Sequence, residues 1–377
     1  MSSPIIVEYL KAMSERQASD LYLTVGFSPA LRLEGDLVEV GDKKLTVEDI
    51  NEIIATILTN RQRREFEANM ELNTSLDVGD FGRFRVNVLR QRQNPALVLR
   101  RIVSKIPSFE ELRLPKLLEK MALEKRGLLL VTGMTGSGKS TTLAAMVDFR
   151  NRNERGHIIT IEDPIEYFHE HNKCVITQRE VGVDTESYAV ALKNSLRQRP
   201  DAILVGEIRD REVMEQALAA SETGHLCMAT LHTTNTYQSI ERIVNMFPED
   251  YQNQVRLNLS MNLKGIISQR LVPCAKGGMT IAIEVMLNQG LVRELIYKGE
   301  ISKIRDVMEQ NNQLGMCTFD QSLLRLFKGG LITEDTALSH ADQPGDLKIK
   351  IQQIKIGESE SREVLKEMDT SLLSISE

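Results

Sequence analysis

The sequence of 377 residues contains no tryptophan, and aromatic residues make up only 5% of it. Proteins that bind single-stranded nucleic acid stack bases on aromatic side chains, so this scarcity argues against such a surface. The net charge of −6 also argues against a general attraction to nucleic acid, although it leaves a local basic groove open. A nucleic-acid partner is therefore not expected.

Cysteines are few and scattered, and none forms a C-x-x-C pair. Neither a disulfide framework nor a cysteine-rich zinc module is expected, and reduced thiols in a cytoplasm fit this spacing better. No apolar run approaches the roughly 18 residues that span a bilayer, and no charged-then-apolar signal segment opens the chain. We therefore expect a cytoplasmic protein without direct membrane insertion. The cysteines are Cys174, Cys227, Cys274 and Cys317.

The most informative stretch is 127–142 (GLLLVTGMTGSGKSTT), where an apolar run leads into a glycine-rich loop and a helical pattern. The glycines allow backbone conformations that turn successive N–H groups toward a phosphate chain. Lys139 supplies a positive charge, Ser140 offers a hydroxyl to Mg²⁺, and the helix that begins there adds its positive dipole end. The stretch predicts an ATP site, and its strand and helix context argues against a chance match. The candidate binding residues are Gly133, Thr135, Gly136, Ser137, Gly138, Lys139, Ser140 and Thr141.

Strand-like and helix-like segments alternate from Gly127 onward, which predicts a parallel sheet covered by helices. After Pro248 the pattern becomes mainly helical, with a late strand at 280–285 and amphipathic helices near 290–310 and 318–328. The segments that alternate after the phosphate loop are 157–161, 185–197, 201–205, 211–221 and 226–231.

The first hundred residues predict a smaller αβ module. Residues Thr46-Val47-Glu48-Asp49 are typical of a capping box that starts a helix, and a second helix follows through about Met70. Pro107 and Pro115 bracket a change of composition and indicate a linker. Strands are expected at 18–25, 30–37, 82–88 and 95–101. The predicted domains are an N-terminal domain (1–103), a linker (104–115), a phosphate-loop domain (116–345) and a tail (346–377).

Carboxylates follow two of the predicted strands. Glu162, Asp163 and Glu166 come after one strand, and Glu207 comes after another. In an open parallel sheet the carboxyl ends of the strands share a crevice with the phosphate loop. Acids are needed there to hold Mg²⁺ and to aim a water at the terminal phosphate. The pattern therefore favours a catalytic role over the usual solvated one.

Six arginines and no acid lie between Phe81 and Arg101. One interpretation is a solvated strand face, which is the usual place for exposed charge. The other is a set of unpaired arginines that reach the nucleotide phosphates of a neighbouring subunit. The residues alone leave both interpretations open.

Taken together, these motifs resemble the secretion and type IV pilus motor ATPases, and within them the PilT-like pilus retraction ATPases. The most specific segments are 161–166 (IEDPIE), 204–210 (LVGEIRD) and 223–226 (TGHL) with 230–234 (TLHTT). The resemblance implies an α/β fold in which a PAS-like N-terminal domain precedes a RecA-like P-loop ATPase domain with a helical C-terminal portion. It also implies a hexameric ring that powers pilus retraction and twitching motility.

The resemblance further assigns roles to residues. Glu166 orients or deprotonates the attacking water, and Glu207 supports Mg²⁺, directly or through water. Arg85 and Arg100 become candidates for a clamp that acts across a subunit boundary. His225 and His232 lie in the family's histidine-containing stretch, where they sense nucleotide or brace the site, and for His225 a structural core histidine remains the alternative. The nucleotide-binding set also includes Glu162 and Asp163.

Two departures are more similar to the PilU-type paralogues than to PilT. Residues 291–296 read LVRELI where PilT has Ala-Ile-Arg-Asn-Leu-Ile, and the chain continues into the 346–377 tail. The implied partners are further copies of the chain, a PilT-type paralogue and an inner-membrane platform protein at the base of the pilus. The alternatives are a pilus-extension or type II secretion ATPase, against which the scattered cysteines speak, and a nucleotide-gated regulatory module with little turnover.

Overall fold

The computed structural model describes residues 4–33, 35–102 and 105–356, apart from the side chain of Asp80. The chain divides into two units. The first comprises the chain up to Ile106 together with Glu166–Phe168, and the second comprises Pro107–Ile165 and the chain from His169 onward. Within the described ranges no helix is long and apolar enough to cross a membrane.

The first unit is built on a six-stranded antiparallel sheet in the order β3-β2-β1-β6-β5-β4. Alternation along β5 buries Phe84, Val86 and Val88 completely, so one face of the sheet forms the core beneath the helices. The strands are β1 (Asp20–Thr24), β2 (Ala30–Leu33), β3 (Asp36–Glu39), β4 (Glu71–Asp77), β5 (Arg83–Gln91) and β6 (Asn94–Ile102), and the helices are α1 (Pro4–Glu15), α2 (Val47–Ile57) and α3 (Asn60–Asn69).

The capping box predicted at the start of α2 is confirmed. The Thr46 hydroxyl accepts from the Asp49 backbone N–H, and the Asp49 carboxylate accepts from the Thr46 backbone N–H. The single strand predicted over 30–37 is wrong, because Gly35 takes a φ of 101° and turns the chain back so that β3 pairs with β2. Strand β4 was not predicted, since its sequence ELNTSLD has few apolar residues.

The second unit is built on a seven-stranded sheet in the order β13-β12-β7-β11-β10-β8-β9. All neighbours are parallel except β13, which runs antiparallel to β12. The predicted parallel, helix-covered sheet is confirmed. Its strands are β7 (Gly127–Gly133), β8 (Gly156–Glu162), β9 (Cys174–Glu180), β10 (Ala202–Val205), β11 (Leu226–Leu231), β12 (Leu263–Pro273) and β13 (Met279–Leu287).

The helices of this unit surround the sheet and continue beyond it. They are α4 (Leu117–Ala122), α5 (Lys139–Asn153), α6 (Tyr188–Ser195), α7 (Arg211–Glu222), α8 (Thr236–Asn245), α9 (Glu249–Asn262), α10 (Leu291–Lys298), α11 (Ile304–Gln310), α12 (Phe319–Lys328), α13 (Glu334–Ser339) and α14 (residues 344–356). Leu347 and Ile351 of α14 are buried with Phe319 and Leu323 in a separate apolar cluster. Residues 357–377, which hold most of the predicted tail, lie outside the described residues.

The expectation of a mainly helical region after Pro248 is wrong for β12. This strand follows α9 without a turn, because Leu263 is both the C-cap of the helix and the first residue of the strand. Its position between β7 and β13 buries residues of both faces, which removes the alternation by which a strand is recognised. Strand β9 was also not predicted, since apolar residues give way to polar ones along it.

Candidate functional site

Four neighbouring parallel strands end at one edge of the second sheet. Val205 of β10 lies in register with Ile161 of β8 on one side and Ala229 of β11 on the other, and Leu231 of β11 pairs with Thr132 of β7. The segments that follow these strand ends carry the phosphate loop, Glu162, Glu207 and His232. The structure therefore brings together at one edge what the sequence spreads over a hundred residues.

The phosphate loop leaves a strand that is buried at every residue and enters α5 at Lys139. A Cβ on Gly133 would collide with the Ser137 hydroxyl and with the carbonyl oxygen of Gln269. Gly138 takes a φ of 90°, a left-handed conformation that costs glycine little, and it sets the angle at which α5 begins. These two glycines let the loop fold tightly at the positive end of the helix dipole.

Lys139 lies inside the loop, with 8% of its surface exposed. Its Nζ donates to the carbonyl oxygens of Gly133 and Met134, both at 2.9 Å. Burial lowers the pKa of Lys139, and the negative charge of Glu207 acts in the opposite direction. The ammonium group is thus held by weak neutral acceptors, which a phosphate oxygen can replace.

Ser137 provides a test of whether the loop fits a phosphate group. Its Oγ is buried and has no hydrogen-bond partner among the residues that the structure describes. A buried hydroxyl without a partner costs free energy, and a phosphate oxygen in the loop would remove that cost. Thr135, Gly136 and Ser140 are exposed and Thr141 is half-buried, so the outer side of the loop is open to a ligand.

Glu207 is the centre of a charged cluster beside the loop. Its Oε1 lies 3.1 Å from His232 Nε2, and its Oε2 accepts from Arg209 Nε at 2.8 Å. A second nitrogen of Arg209 lies 3.4 Å from the Asp163 carboxylate. Arg209 therefore links the acids that follow β8 and β10, and it offsets their mutual repulsion.

His232 faces Glu207 in this cluster. Burial lowers its pKa, as does the positive charge of Lys139, while Glu207 acts in the opposite direction. A carboxylate oxygen only accepts, so the ring nitrogen that faces it carries a proton and Nε2 donates to Glu207. His232 thereby fixes one oxygen of Glu207, while Arg209 pairs with the other.

Glu162 and Glu166 have different surroundings, although both follow β8. Glu162 is half-buried and accepts from Thr160 Oγ1 at 2.6 Å and from Gln178 Nε2 at 3.3 Å. Glu166 is exposed, makes no hydrogen bond or ion pair within the described ranges, and belongs to the first unit. Its carboxylate is therefore free to accept a proton or a hydrogen bond from water.

Ser140 and Glu207 supply oxygen atoms of the kind that Mg²⁺ prefers. In the part of the chain that the structure describes, no group of three or more His, Cys, Asp or Glu side chains could hold a metal ion. A magnesium ion at this edge would thus complete its shell with phosphate and water oxygens, which is usual for this ion.

The arginines of the first sheet are not a uniform unpaired set. Arg100 Nε donates to Asp20 Oδ1 at 2.9 Å, since residues 20 and 100 are register partners on β1 and β6. Arg101 similarly donates to Gln17. The interpretation as an unpaired cluster is therefore wrong for these two. The side chain of Arg85, the cross-strand neighbour of Arg100, makes no hydrogen bond or ion pair with the described residues.

His225 lies at the opposite end of β11 from His232. Its backbone carbonyl accepts from Gly127 at the start of β7, and its Nδ1 lies 3.1 Å from Thr223 Oγ1 and 3.2 Å from Ala220 O. The two side-chain contacts lie at the end of α7 and in the turn that follows it, and the backbone contact joins this turn to β7. The structure favours the alternative in which His225 is a structural histidine.

Three polar residues near the acids received no role from the sequence. Arg209 contacts Glu207 and Asp163, Gln178 contacts Glu162, and Glu180 accepts from the backbone of Ile165. Arg209 could have been found, because it lies two residues after Glu207 in the same motif. Gln178 and Glu180 could not, because β9 itself was not recognised.

Comparisons with known proteins identify the family. The family model described as "Type II/IV secretion system protein" matches residues 5–318. The chain belongs to this family. The fold is accordingly the predicted one, an N-terminal αβ domain followed by a RecA-like ATPase domain with a helical C-terminal portion, and the chain is an ATP-binding and ATP-hydrolysing enzyme.

Individual members of the secretion family are similar over most of the chain. The type IV pilus ATPase PilU of Pseudomonas aeruginosa is 48% identical, over 91% of this chain and 90% of that protein. The retraction ATPase PilT of the same organism is 41% identical, over 90% of this chain and 98% of that protein. The crystal structure of the pilus retraction motor PilT with bound ADP superposes with a TM-score of 0.86 at 43% identity, covering 91% of this chain and 98% of that chain.

Proposed function

We propose that the chain is a subunit of a hexameric motor that couples ATP hydrolysis to type IV pilus retraction, in which pilins are removed from the pilus base during twitching motility. The observation that carries this proposal is the 48% identity to PilU, which extends over nine-tenths of both proteins. The likeness to the retraction motor PilT, in sequence and in fold, supports it.

In this proposal the residues at the sheet edge divide the work of phosphoryl transfer. Lys139 leaves the carbonyls of Gly133 and Met134 to neutralise phosphate charge, and the loop N–H groups hold the phosphate chain. Ser140 and Glu207 would hold Mg²⁺, directly or through water, and Glu166 would orient or deprotonate the attacking water. The remaining nucleotide-binding candidates are Thr135, Gly136, Ser137, Gly138, Thr141, Glu162, Asp163 and His232.

In the proposed ring a neighbouring subunit completes the nucleotide site. The phosphate loop supplies one lysine, but the transition state spreads negative charge over three oxygens. Arg85 or Arg100 of a neighbouring subunit would add a second positive charge. The Arg85 side chain has no partner among the described residues, while Arg100 would have to share its charge with Asp20. This contrast favours Arg85 as the donor in trans.

We further propose that the motor acts beside a PilT-type ring on an inner-membrane platform protein, in the cytoplasm at the pilus base. The greater identity to PilU than to PilT supports an accessory role. The predicted domains (1–103, 116–345) and the linker (104–115) remain the proposed division, with the tail 346–377 as a further segment.

The proposal is tested by measuring ATPase activity, particle mass and pilus retraction, with and without a PilT-type partner. We expect Mg²⁺-dependent turnover, a mass of six chains, and retraction force that increases when both proteins are present. Hydrolysis that supports pilus extension or secretion but not retraction would favour an extension ATPase. Nucleotide binding without turnover would instead identify a regulatory module.

A further inference from the structure

One face of β9 changes from apolar to polar along the strand. Residues two apart in a strand point to the same side, so Cys174, Ile176, Gln178 and Glu180 share a face. The first two are buried apolar residues of the core. The last two are polar and lie next to β8 near its carboxyl end, where Thr160 pairs with Gln178 and Glu162 pairs with Glu180. The strand therefore places two polar side chains beside residues 162–169, the acidic segment.

Both polar atoms of the Gln178 amide form hydrogen bonds there. Its Oε1 accepts from the backbone N–H of His169 at 2.8 Å, and its Nε2 donates to Glu162 Oε1 at 3.3 Å. One amide thus connects the residue at the end of β8 to the far side of the segment that carries Glu166.

Glu180 holds the near side of the same segment. This residue is 4% exposed, and its Oε2 accepts from the backbone N–H of Ile165 at 3.3 Å. Ile165 is itself buried, with 2% of its surface exposed. A buried N–H group needs a partner, so this carboxylate determines where the backbone can lie immediately before Glu166.

We infer that Gln178 and Glu180 are positioning residues for Glu166, because they fix the backbone at Ile165 and His169 on either side of it. The inference rests on the proposed role of Glu166 as the residue that activates water. Between the two anchors only Glu166, Tyr167 and Phe168 remain, and this short span restricts the positions that the Glu166 carboxylate can take. A water-activating group must be held close to its productive geometry, and a displacement of about 1 Å can cost a hundredfold in rate.

The test compares Gln178→Ala and Glu180→Ala with the wild-type chain in steady-state ATPase assays and in nucleotide-binding titrations. We expect kcat to fall by about tenfold to a hundredfold, while KM and the Kd for nucleotide change little, since the phosphate loop is intact and Thr160 still donates to Glu162. Glu180→Gln keeps an oxygen acceptor for Ile165 and should restore most of the rate. Thermal unfolding confirms that each variant is folded.

Thr177→Ala is the matched control on the opposite face of β9. Thr177 Oγ1 pairs with His157 Nε2 at 2.9 Å, and its side chain forms no hydrogen bond with the described residues 162–169. We expect this variant to keep the wild-type kcat. A loss of rate equal to that of Gln178→Ala would show that β9 acts only as a structural strand and would overturn the inference.

Double variants separate this inference from the function on which it rests. If Gln178 acts through Glu166, adding Gln178→Ala to Glu166→Gln should lower the residual rate no further, because coupled residues are not additive. Folded Gln178→Ala and Glu180→Ala variants with wild-type kcat, beside an inactive Glu166→Gln, would overturn the inference alone. A Glu166→Gln variant with wild-type turnover would overturn the role of Glu166 and the inference with it.

Discussion

The phosphate loop and the arginine-bearing strands of the first unit are specified in different ways. The loop is contiguous: strand, glycines, lysine and helix follow one another between residues 127 and 153, and their geometry is local. Each arginine depends on what the fold places beside it. Arg100 meets Asp20, eighty residues earlier, while Arg85 beside it meets no such partner in the described chain. A contiguous motif thus carries its own chemistry, whereas the role of a strand-face charge is decided by tertiary contacts.

Lys139→Ala tests the contiguous region and should have the largest effect. The ammonium charge on the phosphates is lost while the buried strand and α5 remain, so we expect ATPase activity to fall by about a thousandfold or more and nucleotide binding to weaken. Lys298→Ala, in an exposed pair with Glu294, is the control and should be neutral. Normal turnover by Lys139→Ala would contradict the assignment of this loop as the site that binds the phosphates of ATP.

Glu166→Gln and Glu207→Gln compare two acids whose surroundings differ, since Glu166 is exposed and Glu207 contacts His232 and Arg209. Glutamine fills the volume of Glu166 but is a far weaker base, so we expect a loss of about 10²–10⁴ in kcat with nucleotide binding and ring assembly retained. Glu207→Gln should also weaken Mg²⁺ binding, so that more Mg²⁺ is needed for half-maximal activity, because His232 and Arg209 hold this residue beside the loop. Wild-type hydrolysis by Glu166→Gln, with turnover lost only in Glu207→Gln, would reverse the two roles.

Much of the candidate ATP site at the edge of the second sheet could be predicted, because the sequence patterns that specify it are local. The glycine pattern before Lys139 and the acids after two apolar runs are visible in short windows, and the parallel topology then brings the strand ends together. The pairing of Asp20 with Arg100 could not be predicted, since it depends on the antiparallel register of β1 and β6. The anchors Gln178 and Glu180 could not either, because β9 changes from apolar to polar along one face.

Mixing inactive subunits tests whether the two regions meet across a subunit boundary. Lys139→Ala chains are combined with Arg85→Ala chains, and separately with Arg100→Ala chains, after subunit exchange has been verified. Some interfaces in a mixed ring would join an intact loop to an intact arginine, so a fraction of the ATPase activity should return. We expect clearer recovery with Arg85→Ala than with Arg100→Ala, because Arg100 is already paired with Asp20. If neither mixture recovers activity, the shared-site proposal fails.

The smallest expected effect concerns Glu284, a buried acid whose behaviour, like that of Arg100, is decided by distant partners. Its Oε1 accepts from the backbone N–H and the hydroxyl of Thr236 at the start of α8, the helix that follows the His232 segment. Burial raises the pKa of Glu284 to about 7, Asp342 adds to this, and Thr236 and Arg270 oppose it.

Because the unfolded chain releases this proton near pH 4.5 and the folded chain near pH 7, stability should fall as pH rises through that window. The full contribution is about 3 kcal/mol, at 1.36 kcal/mol per pKa unit. Glu284→Gln keeps an acceptor for Thr236 and removes the charge, so its melting temperature should approach or exceed that of the wild-type chain at pH 8 but not at pH 5. Melting curves of the two chains measured across this range decide the matter, since a constant difference between them would show that Glu284 does not titrate there.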